Sequence, residues 1–155
     1  MDLVELLEEK KDEIVREATN SLNGSRLQHY QTVGIEKCRQ RYIRLYHFVL
    51  KSIRENNLIG IIHYIKNVAR ERFLSGYDIQ EVQMALNIME EAMWHCIIKA
   101  VKKVKPLDLG KSLELMSTVC GVTKDFLADT YVSLSTQKKV PALDVSALFA
   151  GTDGV

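Results

Sequence analysis

Apolar residues recur at intervals of three and four along most of the chain, the spacing that gathers them on one face of an α-helix. Leu3, Leu7, Ile14, Ala18 and Leu22 form the first stripe and predict a helix over 2–22, closed by Asn23-Gly24. A glycine after the last turn accepts the left-handed backbone on which many helices end. Ser25 to Gly34 carries Leu27 and Tyr30 and reads as a short helical turn followed by a break. Ile35, Cys38, Tyr42, Leu45, Val49 and Ile53 give a helix over 35–55 that stops at Asn56-Asn57. The next is expected over 58–75, with Ile61, Ile65, Val68 and Ala69 inward and Gly76 as its stop.

The following start carries the clearest signal. Asp78 and Glu81 have the spacing of a capping box, and Tyr77 precedes them where a hydrophobic staple to Val82 would sit. Val82, Ala85, Leu86, Met89, Met93, Ile97, Ala100 and Val104 continue the stripe, so a helix over 78–104 is expected, ended by Pro106. Asp108 is placed to cap a last helix over 108–137, carrying Leu113, Met116, Val119, Cys120, Leu127, Tyr131 and Leu134. No run alternates as a strand would, and no repeat is visible. The expectation is an all-α chain: one globin-like or bundle-like domain of about five main helices over 1–138, then a C-terminal tail over 139–155.

Composition supports a single packed domain. The chain has 155 residues, 46% of them hydrophobic and 26% charged, enough for a core without a disulfide or metal staple. Its net charge of +1 gives no bulk electrostatic case for nucleic acid or an anionic membrane. The charge is nevertheless segregated. Residues 2–17 hold seven acids against three bases, and residues 26–55 hold seven bases against two acids. Neighbouring solvated faces or a partner surface would both account for that pattern. Cys38, Cys96 and Cys120 are odd in number and form no CxxC, which predicts free buried thiols and a reducing cytoplasm. The acidic opening is unlike a secretory signal, and every apolar run falls short of the roughly 20 residues that span a bilayer.

The chemistry expected is sparse. No phosphate loop, dinucleotide fingerprint, nucleophile elbow or HExxH occurs. His29, His47, His63 and His95 fall on separate segments, and adjacent His95 and Cys96 point about 100° apart on a helix. No catalytic residue, metal ligand or cofactor is therefore expected. A small ligand could sit in a cavity lined by Phe73, Met84, Met93 and Trp94, or a haem could take His63 or His95 as proximal ligand. Leu6, Ile88 and Ile98 fall outside the main inward set. Together they would form an apolar interface for a homodimer, unless Leu143, Val145, Leu148 and Phe149 of the tail fold over them.

Arg72-Phe-Leu-Ser-Gly-Tyr-Asp-Ile-Gln-Glu-Val-Gln-Met-Ala-Leu-Asn-Ile-Met-Glu-Glu-Ala-Met-Trp94 resembles the N-terminal sensory domains of RsbR-type bacterial stress regulators, domains that also precede some sensor histidine kinases. Leu7-Glu-Glu-Lys-Lys-Asp-Glu-Ile-Val, His29-Tyr30 and Arg41-Tyr-Ile-Arg-Leu-Tyr are similar as well, so the resemblance spans roughly residues 3–135. It implies a globin-like helical domain without haem, dimeric, that passes a signal to a partner domain. In that family the domain usually precedes an anti-sigma-antagonist-like or kinase domain, whereas this sequence stops at Val155.

Overall fold

The first stripe does not follow one straight axis, and the chain bends within it. In the computed structural model, which describes residues 1–139, the expected helix over 2–22 is two helices: α1 (Leu3–Glu9) and α2 (Lys11–Gly24). They meet at Lys10, whose backbone leaves the helical region at φ −94°, ψ 11°. The buried Tyr46 hydroxyl donates to the Leu7 carbonyl just before this bend. A side-chain donor acting on a helix carbonyl is a recognised cause of such kinks. Asp2 and Glu5 form a capping box at the start of α1, with Glu5 N–H donating to the Asp2 carboxylate at 2.8 Å and Asp2 N–H to the Glu5 carboxylate at 3.1 Å.

The remaining elements are α3 (Gln28–Val33), α4 (Ile35–Glu55), α5 (Ile59–Leu74), α6 (Ile79–Ala100), a single 3-10 turn over Val101–Lys103, and α7 (Pro106–Lys139). All-α architecture is as expected, with seven α-helices rather than about five among the described residues. Of the tail expected over 139–155, Lys139 still belongs to α7, and residues 140–155, including Leu143, Val145, Leu148 and Phe149, lie outside the described residues.

Two stops work as anticipated. At the end of α5, Gly76 takes φ +84°. Its N–H donates to the Phe73 carbonyl at 3.1 Å while Tyr77 N–H donates to that of Arg72 at 2.9 Å, the paired bonds of a Schellman cap. Asn56 does the same for α4 at φ 49°. Gly24 does not play the part expected of it: it is the last residue of α2, and the left-handed backbone falls on Arg26 at φ 56°. Pro106 opens α7 instead of closing α6. A missing N–H costs nothing at the first helical position, where it has no acceptor. Asp108 therefore lies in the first turn of α7 and not at its cap.

The helices wrap one core. α7 lies chiefly against α5 and also touches α1, α4 and α6, while α2 rests on α4 and α6. Leu3, Leu6, Leu7, Tyr46, Met89, Met93, Met116 and Leu127 are fully buried where these elements converge. Leu6, expected outside the inward set, is thus a core residue: it has the i, i+3, i+4 spacing of one helical face with Leu3 and Leu7 inside α1, so it is unavailable to a partner. Glu8 of α1 pairs with Arg54 of α4, so part of the segregated charge is spent between neighbouring helices.

Candidate functional site: a tyrosine–arginine cluster

The α5–α6 connection gathers an unusual amount of polar chemistry into the interior. On α5, the apolar stripe through Ile61, Ile65 and Ala69 reaches Arg72 at the same helical spacing, and Arg72 is only 6% exposed. One turn of the Schellman cap later, Tyr77 is also buried. Its ring stacks on His29 of α3 with centroids 4.7 Å apart and meets Tyr30 edge-on at 5.2 Å. The guanidinium carbons of Arg72 and of Arg41 from α4 lie 5.6 and 5.8 Å from the Tyr77 ring centroid, within cation–π range. Arg41 Nη1 donates to the Tyr77 hydroxyl at 3.0 Å.

Glu81 locks α3 to this corner. Its carboxylate accepts from Asp78 N–H at 3.0 Å, the reach-back half of the expected capping box. It also accepts from His29 N–H at 3.1 Å and lies 2.7 Å from His29 Nδ1. Burial alone would push this carboxyl upward, but the hydrogen bonds from His29 and Asp78 outweigh it and hold Glu81 below the ordinary carboxylate value. From the other side, the Tyr131 hydroxyl of α7 donates to the Tyr77 carbonyl at 2.9 Å. Tyr77 therefore touches groups from α3, α4, α5 and α7.

Beneath the cluster lies a cavity of ≈ 40 Å³ between Tyr30, Arg41, Tyr42, Tyr64 and Arg72, with Leu45, Ile65, Val82 and Leu86 among its apolar walls. A surface hollow of ≈ 210 Å³ adjoins it, sharing Arg41, Tyr64, Val68 and Arg72 and adding Lys37, Arg44 and Glu71 at its rim. Arg72 Nη1 donates to the Glu71 carboxylate at 2.8 Å, while the buried Arg72 Nε has no hydrogen-bond partner among the described residues. Burial raises the Tyr30, Tyr42 and Tyr64 phenols and the Cys38 thiol, although Arg41 and Arg72 pull against it at Tyr30, Tyr64 and Cys38. The walls are thus neutral donors around two fixed cations.

The residues expected to bind a ligand are not brought together here. Met93 is fully buried in the core of α6, Trp94 is half-buried, and Met84 is largely exposed on the same helix. Phe73 is half-buried and meets Tyr131 edge-on at 5.4 Å. None of the four lines the central cavity. Helical spacing alone cannot tell a cavity wall from a core contact, which is why the stripe misled. His63 and His95 are both exposed, His95 lying 3.2 Å from Glu17, so neither faces an apolar pocket as a proximal haem ligand must. Ile88 is half-buried against the core and Ile98 is exposed. Cys38, Cys96 and Cys120 are buried and unpaired. Among the described residues no group of three His, Cys, Asp or Glu side chains could hold a metal ion, and no helix is long and apolar enough to cross a membrane.

The signal that would have located the cluster is an arginine on an apolar stripe. Arg72 follows Ile65 and Ala69 at helical spacing, and Arg41 sits three residues after Cys38 and four before Leu45. Compared with known proteins, the chain matches no family model, no curated protein and no solved structure.

Proposed function

We propose that the chain is a non-catalytic sensory domain of the RsbR N-terminal type, which receives a signal at the tyrosine–arginine cluster and relays it through α7. The observation that carries this reading is the double engagement of Tyr77: its ring meets Arg41, Arg72 and His29, and its carbonyl holds α7 through Tyr131. Anything that repositions the two guanidinia acts on Tyr77, and Tyr77 is bonded to a helix of 34 residues that also touches α1, α4 and α6. The chemistry favours binding over bond-making. Phenols and thiols kept neutral by burial are poor nucleophiles, whereas fixed guanidinia are good recognition groups.

Joining α7 in helical register to the catalytic core of a sensor histidine kinase tests the relay. Tyr131→Phe and Arg72→Gln should each shift autophosphorylation by about fivefold or more, the low end of allosteric coupling. Equal rates in folded variants would overturn it. The assembly this reading calls for is a homodimer in a reducing cytoplasm, formed on the outer face of α6. There Met84, Ile88, Trp94 and Ile98 share an arc of about 120°, Met84 and Ile98 being exposed and Ile88 and Trp94 half-buried. Light scattering at several concentrations tests that part, and a 17.7 kDa particle throughout would refute it.

A further inference from the structure

We propose that the cavity between Arg41 and Arg72 binds a small carboxylate with a short apolar tail, its carboxylate on the two guanidinia and its tail among the apolar walls. As the input to α7 this deepens the sensory reading and rests on it; as a binding site it stands alone. The first argument is unmet charge. Arg72 is 6% exposed, and among the described residues its Nε has no acceptor. A buried charged donor without an acceptor is among the costlier things a fold can keep. Its one acid partner, Glu71, is two-thirds exposed on the adjoining residue. Arg41 has a phenol for a partner, and among the described residues no carboxylate pairs with it. A water in the cavity would satisfy the Nε proton but would leave Arg41 without a counter-charge and Arg72 with only the exposed carboxylate of Glu71.

The second argument is shape. A guanidinium presents a planar fork that matches a carboxylate with two parallel hydrogen bonds. Arg41 and Arg72 line the inner cavity and the outer hollow alike, so an anion held there sits at the junction between the two. Lys37 and Arg44 at the outer rim add positive potential along the way in, which steers anions toward it. Beyond the guanidinia the lining turns apolar, with Leu45, Ile65, Val82 and Leu86. Such walls suit a hydrocarbon tail better than the far oxygens of a phosphate, for which the lining adds only the neutral phenols of Tyr30, Tyr42 and Tyr64. At ≈ 40 Å³ the cavity exceeds the roughly 10–15 Å³ that one water requires, yet it is too small for a long chain. A tail of a few carbons is the size that fits.

The test is a titration of the full chain with sodium butyrate, sodium acetate and inorganic phosphate at constant ionic strength, followed by amide NMR. Butyrate should saturate below about 20 mM, moving the amides of Tyr30, Arg41, Arg72 and Tyr77, with acetate weaker and phosphate weaker still. Arg41→Gln should weaken butyrate by about tenfold or more. Arg41 is only half-buried, so this variant remains informative if Arg72→Gln fails to fold. No saturation, unchanged affinity in Arg41→Gln, or phosphate binding as tightly as butyrate would each overturn the proposal. Binding without an effect on the kinase fusion would leave the site standing and remove the relay. A fusion that responds to Tyr131→Phe in a chain that binds no butyrate would do the reverse.

Discussion

Replacing Tyr131 by Phe removes one oxygen and leaves the ring, and with it the edge-on contact to Phe73. The lost hydroxyl donates to the Tyr77 carbonyl at 2.9 Å from a side chain that is 6% exposed. Burial pushes this phenol up to about 12, so it is a neutral donor at any ordinary pH. A buried carbonyl left without its donor costs about 1–3 kcal/mol. With an unfolding entropy of about 2.1 cal/mol/K per residue over the helical domain, that corresponds to a fall in Tm of roughly 3–10 °C. Thermal and urea denaturation of both proteins measure it, and an unchanged urea m-value would show that the denatured state is unaffected. Hydrogen exchange should accelerate most in the α7 backbone around Tyr131. A stability change within about 0.5 kcal/mol, the range of an ordinary surface substitution, would show that Tyr77 does not hold α7 and would remove the physical basis of the relay.

Other substitutions probe the remaining parts. Met93→Ala should cost about 2–5 kcal/mol as a core truncation, and a loss below 1 kcal/mol in a urea titration would contradict its complete burial. Gly76→Ala brings its Cβ into ordinary van der Waals contact with His29 Nε2 at 3.8 Å but must hold φ +84°; the expected cost of about 1–2 kcal/mol is backbone strain alone, and a stabilised variant would refute it. Glu81 has a depressed pKa, so its contribution is complete above about 4.5 and is lost as pH falls through the folded value. The difference in Tm between wild type and Glu81→Gln should accordingly shrink between pH 6 and pH 3, and a constant difference would refute the linkage. Ile98→Asp should leave monomer stability within about 0.5 kcal/mol while dissociating the proposed dimer; a particle mass unchanged from wild type would exclude this face.

How far the sequence could be read depended on whether local or long-range forces decided each feature. Helix existence was legible because stripes such as Cys38–Tyr42–Leu45–Val49–Ile53 record burial directly, although Ile35 at the head of that stripe is exposed. The Gly76 stop was legible because the Schellman bonds involve only neighbours. The bend at Lys10 was not, since it depends on Tyr46, 39 residues away in sequence from its acceptor Leu7. Leu6 shares the face of Leu3 and Leu7 inside α1, and a single stripe drawn on through Ile14 to Leu22 hid it. The cluster was hidden more deeply. Arg72 stands in the last turn of α5, where any positive charge suits the helix dipole, and its burial depends on Tyr30, Arg41 and Tyr77 arriving from three other segments. Phe73, Met93 and Trp94 drew attention as large apolar residues, although the cavity walls are made mainly by smaller ones and by tyrosines.

The first helix has a consequence for synthesis on the ribosome. Leu3, Leu6 and Leu7 are all fully buried, and the elements that cover them are α4, α6 and α7. Even the Met1 carbonyl waits for a distant donor, the N–H of Lys105 at 3.1 Å. The three leucines therefore leave the exit tunnel roughly 100 residues before the last of the elements that cover them. At about 5–20 residues per second, the roughly 100 residues between them and Lys105 represent 5–20 s of exposure. During that interval the acids that surround them, Asp2, Glu5, Glu8 and Glu9, are what keep this segment in water. The negative charge of the opening residues thus has work to do before the native structure exists, and neutralising it should reduce the yield of soluble chain more than the stability of the finished fold.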